Sequence, residues 1–164
     1  MNKPIKHCYW VMPGKFLAGE YPRNKDEASS PEKIAALINA GVAAFIDLTE
    51  HDEGLLHYDY MVGPVSYQRF AIRDGSIPDS RELTIKILDA IDHHLSQGRM
   101  VYVHCWGGVG RTGTIVGCWL TRNGFEGQAA LDRLRELWQH CPKSAKRKSP
   151  EWPEQEQYIV NWKG

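Results

Sequence analysis

The apolar positions of this chain switch repeatedly between the period of a strand and the period of a helix. Tyr9 to Met12 and Phe16 to Ala18 are short apolar runs split by Pro13-Gly14, which predicts two strands or one bent strand at the start of a sheet. Ala43 to Leu48 and Gln68 to Ile72 read as further strands, and Met100 to Val103 has the β-branched enrichment of a buried one. Between them the spacing is helical. Ile34, Leu37 and Ile38 form a stripe that opens at Ser29-Ser30-Pro31-Glu32, with a serine cap and a proline in the first turn, and stops at Gly41. Leu83, Ile87, Leu88, Ile91 and Leu95 form a second stripe, capped by Asp79-Ser80 and ended by Gly98. Thr112 to Leu120 is apolar enough for a buried helix, Ala129 to Trp138 carries Leu131, Leu134 and Leu137, and Ser149-Pro150-Glu151 caps a last helix with Tyr158, Ile159 and Trp162. Strands alternating with helices predict an α/β fold: a central, mostly parallel sheet of four to five strands flanked by helices on both faces, with ligands at the C-terminal strand ends.

The stretch from Val101 to Val116 concentrates the chemistry, because a strand, an anion cradle and a helix start follow one another there. Cys105 and Arg111 are separated by five residues, three of them glycine: Gly107, Gly108 and Gly110. Glycines let the backbone turn its N–H groups inward, and the concavity they make faces a helix N-terminus. Such a loop suits phosphate. A cysteine at that positive end is placed where its anionic, nucleophilic form is stabilised. Arg111 adds a planar fork that grips two phosphate oxygens at once.

His104-Cys105-x5-Arg111-Thr112, with its glycines and its strand–loop–helix context, resembles the signature of the cysteine-dependent protein tyrosine phosphatase superfamily. The Trp-Gly-Gly-Val-Gly loop and the compact length are most similar to the dual-specificity, kinase-associated-phosphatase-like branch and its bacterial relatives. The resemblance implies a phosphomonoester hydrolase working through a phosphocysteine, with Cys105 as nucleophile and phosphate held by Arg111 and the backbone of Trp106, Gly107, Gly108, Val109 and Gly110. It also implies that Asp74, on the loop after the Gln68–Ile72 strand, is the general acid, with Asp79 as the competing candidate. His104 is expected to point away from the sulfur and orient the loop backbone, and Thr112 to offer its hydroxyl to the sulfur. Glu50, from the loop after Ala43–Leu48, is the candidate acid for holding the Arg111 fork, with Asp52 and Glu53 read as solvated. Gln155 is the nearest match to a glutamine that positions the hydrolytic water in relatives. Leu17 to Pro22 resembles a stretch that runs along the active-site rim in relatives, so Arg23 or Lys25 is weighed as a substrate contact against an ordinary exposed loop.

Composition narrows the reading. At 164 residues, one catalytic domain spanning 1–164 is the economical division. Lysines plus arginines equal aspartates plus glutamates, twenty of each, so no global field recruits nucleic acid or an anionic membrane. No run approaches the ~18 apolar residues of a spanning helix, and the first residues lack a signal-peptide core, so a cytoplasmic monomer is expected. The cysteines Cys8, Cys105, Cys118 and Cys141 are too irregular for a disulfide framework, and Cys118 reads as a small core residue, or else as a partner for oxidised Cys105. Three His-Cys pairs do not make a zinc site, because adjacent strand residues point to opposite faces and no Cys-x2-Cys closes a tetrahedron. No metal or cofactor is expected. The basic run Lys143 to Lys148 reads as a solvated loop, or as a docking patch for acidic substrates. The expected partner is a phosphorylated protein or small phosphomonoester, phosphotyrosine first, with an inositol phosphate or phosphoinositide next and a phosphate-binding pseudophosphatase as the alternative of another class.

Overall fold

The computed structural model describes residues 1–24 and 30–164; the expected serine cap at Ser29 and the candidate contact Lys25 lie outside them. Among the described residues five strands, β1 (Cys8–Met12), β2 (Phe16–Gly19), β3 (Val42–Asp47), β4 (Ser66–Arg69) and β5 (Met100–His104), form one sheet in the order β1-β2-β5-β3-β4. Only the β1–β2 pair is antiparallel. The α-helices are α1 (Ser30–Asn39), α2 (Arg81–Ser96), α3 (Arg111–Arg122), α4 (Gln128–Trp138) and α5 (Pro153–Asn161). The α/β fold with a mostly parallel five-stranded sheet is thus the one the sequence predicts.

Strand alternation explains the two cores. On β5, Val101 and Val103 face one side with Ala44 and Ile46 of β3, and meet Ile87, Ile91, Ile115, Leu131 and Ile159 from α2 to α5. Tyr102 and Phe45 face the other side and pack with Leu17, Ile34, Leu37 and Tyr58. β5 is central, and its last residue, His104, lies in register with Gly19 on one side and Asp47 on the other. The loop that leaves β5 therefore emerges between two strand ends, where a parallel sheet gathers its site.

Two boundaries differ from expectation. β4 is Ser66–Arg69 rather than Gln68–Ile72. Residues 70–72 instead hang from the end of β3, with Phe70 N donating to Asp47 O and Ile72 N to Leu48 O. The Phe70 and Ile72 side chains face the core, so the hydrophobic signal marks that tail rather than the paired edge. The last helix is capped not by Ser149-Pro150-Glu151 but at Trp152-Pro153, where the Gln155 side chain accepts from Trp152 N at 3.1 Å. Among the described residues no helix is long and apolar enough to cross a membrane.

Helices α3 and α5 approach closely at Gly117, where an added Cβ would lie 2.4 Å from Ile159 Cδ1 and 2.8 Å from Cγ2. A β-branched neighbour gives way poorly. We expect Gly117→Ala to destabilise by about 1–3 kcal/mol through overpacking, set against the roughly 1 kcal/mol that alanine gains over glycine as a helix former. Urea unfolding checks this: a raised midpoint would mean that the helices are not in contact there.

Candidate active site

Loop 105–110 joins β5 to α3, and its backbone is oriented by what grips its carbonyls. Cys105 O faces His104 Nδ1 at 2.9 Å, and Trp106 O accepts from Tyr21 N at 2.8 Å. Gly107 O accepts from Lys143 Nζ at 2.7 Å, Val109 O from Ser149 Oγ at 2.6 Å, and Gly110 O from Thr114 N and Oγ1. With these carbonyls held from outside, the amides on the opposite edges of the planar peptide units turn inward. One of them, Gly108 N, donates to Cys105 Sγ at 3.3 Å. Gly108 has φ +75°, and a Cβ there would sit 2.4 Å from the Gly19 carbonyl carbon, so only glycine fits against the end of β2.

His104 is fully buried, and desolvation lowers its pKa although Asp47 pulls it upward. A carbonyl only accepts, so Nδ1 carries the proton, and the neutral ring's Nε2 accepts from the Tyr58 hydroxyl. Its ring is spent on orienting the backbone. Asp47 completes this layer: burial alone would raise its carboxyl, but hydrogen bonds from Thr49 and Tyr67 hold it below the ordinary value.

Arg111 opens α3 and is 2% exposed. Desolvation works against its charge, but Glu53, Cys105 and Asp74 outweigh it and raise its pKa further. Glu53 takes both ends of the fork: Nη1 donates to Oε1 and Nη2 to Oε2 at 3.1 Å, while Nη1 also reaches Ile72 O at 3.0 Å. This corrects the assignment of Glu50. The chain folds back after β3, and Glu50 contributes only its backbone N–H, which donates to Glu53 Oε1 at 2.8 Å. Asp74 Oδ1 lies 3.3 Å from Arg111 Nη2 on a side chain that is 73% exposed. The Thr112 hydroxyl and Arg111 Nε are buried without a hydrogen-bond partner among the described residues.

Cys105, Asp74, Trp106, Gly107, Val109, Gly110 and Arg111 line one pocket of about 370 Å³, together with Arg147, Glu151 and Trp152 at its lip. Asp79 is exposed and sits at the far end of its loop, where Ser80 Oγ caps α2 by accepting from Leu83 N at 3.1 Å. Gln155 is fully buried beside Gly110. Its Oε1 accepts from the amides of Glu151 and Trp152, and its Nε2 donates to Ser76 O at 3.1 Å, tying the start of α5 to the Asp74 loop. Arg23 is buried and bonds His57 O and the Tyr60 hydroxyl. It lines a second cleft of about 620 Å³ that adjoins the first at Asp74 and Trp106. In the basic run, Lys143 pairs with Glu20, Arg147 with Glu151 and Lys148 with Glu156. Cys118 lies in the core, where burial pushes its thiol far up. Tyr21, Glu53, Lys143 and Ser149 all hold the site; the sequence drew attention to the stretches around them but not to the groups they grip, since each acts across a long stretch of chain.

A cysteine and an arginine at the two ends of an amide-lined loop, at the carboxyl end of a parallel sheet, define the cysteine-dependent phosphatase class. Residues 5–157 match the family described as "Swiss Army Knife protein, DSP-PTPase phosphatase domain", and the chain belongs to this dual-specificity branch of the class. It is 34% identical over 109 residues to protein 067L of invertebrate iridescent virus 3, covering 65% of this chain and 42% of that protein. To the human dual specificity protein phosphatase CDC14A it is 29% identical over 129 residues, 70% of this chain and 19% of that one. The chain spans about half the length, 42% to 55%, of the first three curated relatives it matches. The fold matches that of kinase associated phosphatase, with a TM-score of 0.72 at 18% identity over 97% of this chain and 94% of that one.

Replacing Glu53 separates it from Glu50. We expect Glu53→Gln to weaken tungstate binding on the order of tenfold, because the buried guanidinium loses its ionic partner, whereas Glu50→Gln leaves binding within twofold, its contribution being a backbone amide. Titration calorimetry with tungstate decides, and equal losses would contradict the assignment.

Proposed function

We propose that the chain hydrolyses phosphomonoesters through a phosphocysteine, acting on phosphotyrosine in proteins and, with it, phosphoserine and phosphothreonine. The observation that carries this reading is the convergence of Cys105, Arg111 and Asp74 on one pocket of about 370 Å³. Cys105 Sγ attacks phosphorus, the P–O bond to the leaving group breaks, and protonated Asp74 gives its proton to the departing oxygen. Arg111 and the inward amides stabilise the equatorial oxygens. Water then attacks the phosphocysteine, Asp74 takes the proton back, and the S–P bond breaks to release phosphate and the thiolate, which the Thr112 hydroxyl stabilises.

The leaving group's surroundings support an aryl substrate. The oxygen that Asp74 protonates sits where the phosphate pocket meets the adjoining cleft, so the rest of the substrate extends toward Tyr21, Leu55, Leu56 and Trp106. Those are aromatic and aliphatic surfaces suited to a phenyl ring. An inositol phosphate or phosphoinositide is the second reading: the Arabidopsis thaliana relative PTPMT1, 32% identical over 109 residues, 65% of this chain and 32% of that protein, is named for another phospholipid monoester, phosphatidylglycerophosphate, and the structure of PTPMT1 in complex with PI(5)P shares the fold, with a TM-score of 0.70 at 16% identity. Against it, Trp106 to Gly110 supplies no cation for further phosphates. A pseudophosphatase would not need Cys105, Arg111 and Asp74 together. A single catalytic domain that works as a cytoplasmic monomer belongs to the same proposal, supported by buried, unpaired thiols that suit a reducing compartment.

Three variants test it. Cys105→Ser should abolish turnover yet keep oxyanion binding, since the cradle is backbone amide and Arg111; hydrolysis by that variant would remove the cysteine mechanism. Asp74→Asn should slow a poor leaving group by roughly 10²–10⁴-fold and an activated aryl phosphate far less. Asp79→Asn should show no leaving-group dependence. Steady-state kinetics on phosphopeptides, inositol phosphates and aryl phosphates, run on all three variants, checks mechanism and substrate class together. The reverse pattern at Asp74 and Asp79 would place the acid at the other end of the loop, and faster turnover of inositol phosphates would replace the phosphotyrosine reading.

A further inference from the structure

One cation of the basic run reaches the nucleophile's loop from behind. Lys143, in the 3-10 turn Pro142–Ala145 after α4, donates from Nζ to Gly107 O at 2.7 Å and pairs with Glu20 Oε2 at 3.0 Å. The N–H of that same peptide unit belongs to Gly108 and points at Cys105 Sγ, with N and S 3.3 Å apart. The ammonium and the sulfur therefore sit at opposite ends of one planar amide, whose C=O and N–H are antiparallel. A cation on the oxygen polarises the unit and makes its N–H a stronger donor. Glu20 does not cancel that charge, because its other oxygen accepts from Lys33 at 2.8 Å. One carboxylate between two ammoniums leaves one net positive charge. Burial alone would raise the Glu20 carboxyl, yet the two lysines hold it below the ordinary value, and with side chains only 17% to 20% exposed the triad is partly shielded from solvent.

We propose that Lys143 is a positioning residue for the nucleophile, which acts through the Gly107–Gly108 peptide to hold Gly108 N–H on Cys105 Sγ and strengthen that bond when the sulfur is anionic. The inference deepens the reading of Cys105 as nucleophile and rests on it. Lys143 is not among the side chains that line the pocket. The other charged groups around the sulfur are Arg111 with Glu53 and Asp74, and Arg147 with Glu151 at the lip. Neutral His104 on β5 and the phenols of Tyr9 and Tyr102 are its titratable neighbours from the sheet, and His7, whose pKa burial lowers, stands beside Glu20 and Lys143. All of these stay in place in the variants below.

The test is the pH profile for alkylation of Cys105 by iodoacetamide, followed by mass spectrometry on the peptide that contains it. Cys8, which burial pushes up to about 11, and Cys118 are resolved as separate peptides. Lys143→Met, which removes charge and donor, should move the profile to higher pH by about half a unit. Lys143→Arg should restore most of the shift. Glu20→Gln, which leaves two lysines uncompensated, should move the profile the other way, to lower pH. Opposite signs are not expected of residues that merely keep the loop folded. Profiles of Lys143→Met and Glu20→Gln that superimpose on the wild type, or shift in the same direction, would overturn the proposal. If Lys143→Met does not fold, Glu20→Gln decides alone: a shift to lower pH supports the proposal, and none overturns it. Alkylation uses no phosphate ester, so this outcome is separate from hydrolysis by Cys105→Ser, which would sink the phosphatase reading instead.

Discussion

The site depends on one constraint: the carbonyls of loop 105–110 are held outward. A peptide unit offers its oxygen and its N–H on opposite edges, so an anion cradle exists only if something else claims the oxygens. Here the claimants come from separate parts of the chain: the ring of His104, the backbone of Tyr21, the ammonium of Lys143, the hydroxyl of Ser149 and the first turn of α3. The close approach of Gly108 to Gly19 belongs to the same arrangement, since the β2 end must come near enough for Tyr21 N to reach Trp106 O. The central place of β5 makes that approach possible.

The electrostatics follow from the same geometry. Arg111 is almost wholly buried, and a buried guanidinium is tolerated only when its charge is compensated. Glu53 and the Ile72 carbonyl do this from one side, which fixes the plane of the fork without involving the sulfur. Asp74, exposed and more loosely paired, stands at the other edge, where it can exchange the guanidinium for substrate. The Glu53 side chain is 15% exposed and that of Asp74 73%, and this difference in burial is what the proposed proton transfer by Asp74 rests on.

The fold was largely legible in the sequence because period-2 and period-3.6 patterns follow burial, and burial here is clean on both sheet faces. The misplacements have physical causes. Phe70 and Ile72 are apolar because they pack on the core, not because they pair, so pattern alone drew β4 two residues late. Ser149-Pro150 looks like a helix start but is used to hold Val109 O, and the real cap is a glutamine side chain reaching back. The structure brings Cys105, Arg111 and Asp74 to one pocket; the first two were grouped by their spacing in the sequence, and Asp74 by the resemblance of its loop to the family's general-acid loop. Glu53 was not, because Glu50 and Glu53 share one acidic loop and only the fold-back of that loop decides which carboxylate meets the arginine. The ammonium of Lys143 was equally hidden, 36 residues from the carbonyl it grips.

In the proposed mechanism phosphate passes through Cys105. Mixing the enzyme with a phosphate ester, quenching in acid within the first turnover and mapping the adduct by mass spectrometry tests this most directly. One phosphoryl group is expected on the peptide that contains Cys105, formed before phosphate is released and lost as turnover completes. Phosphate released during turnover with no adduct at any quench time, or with the phosphoryl group on a histidine or carboxylate, would contradict it.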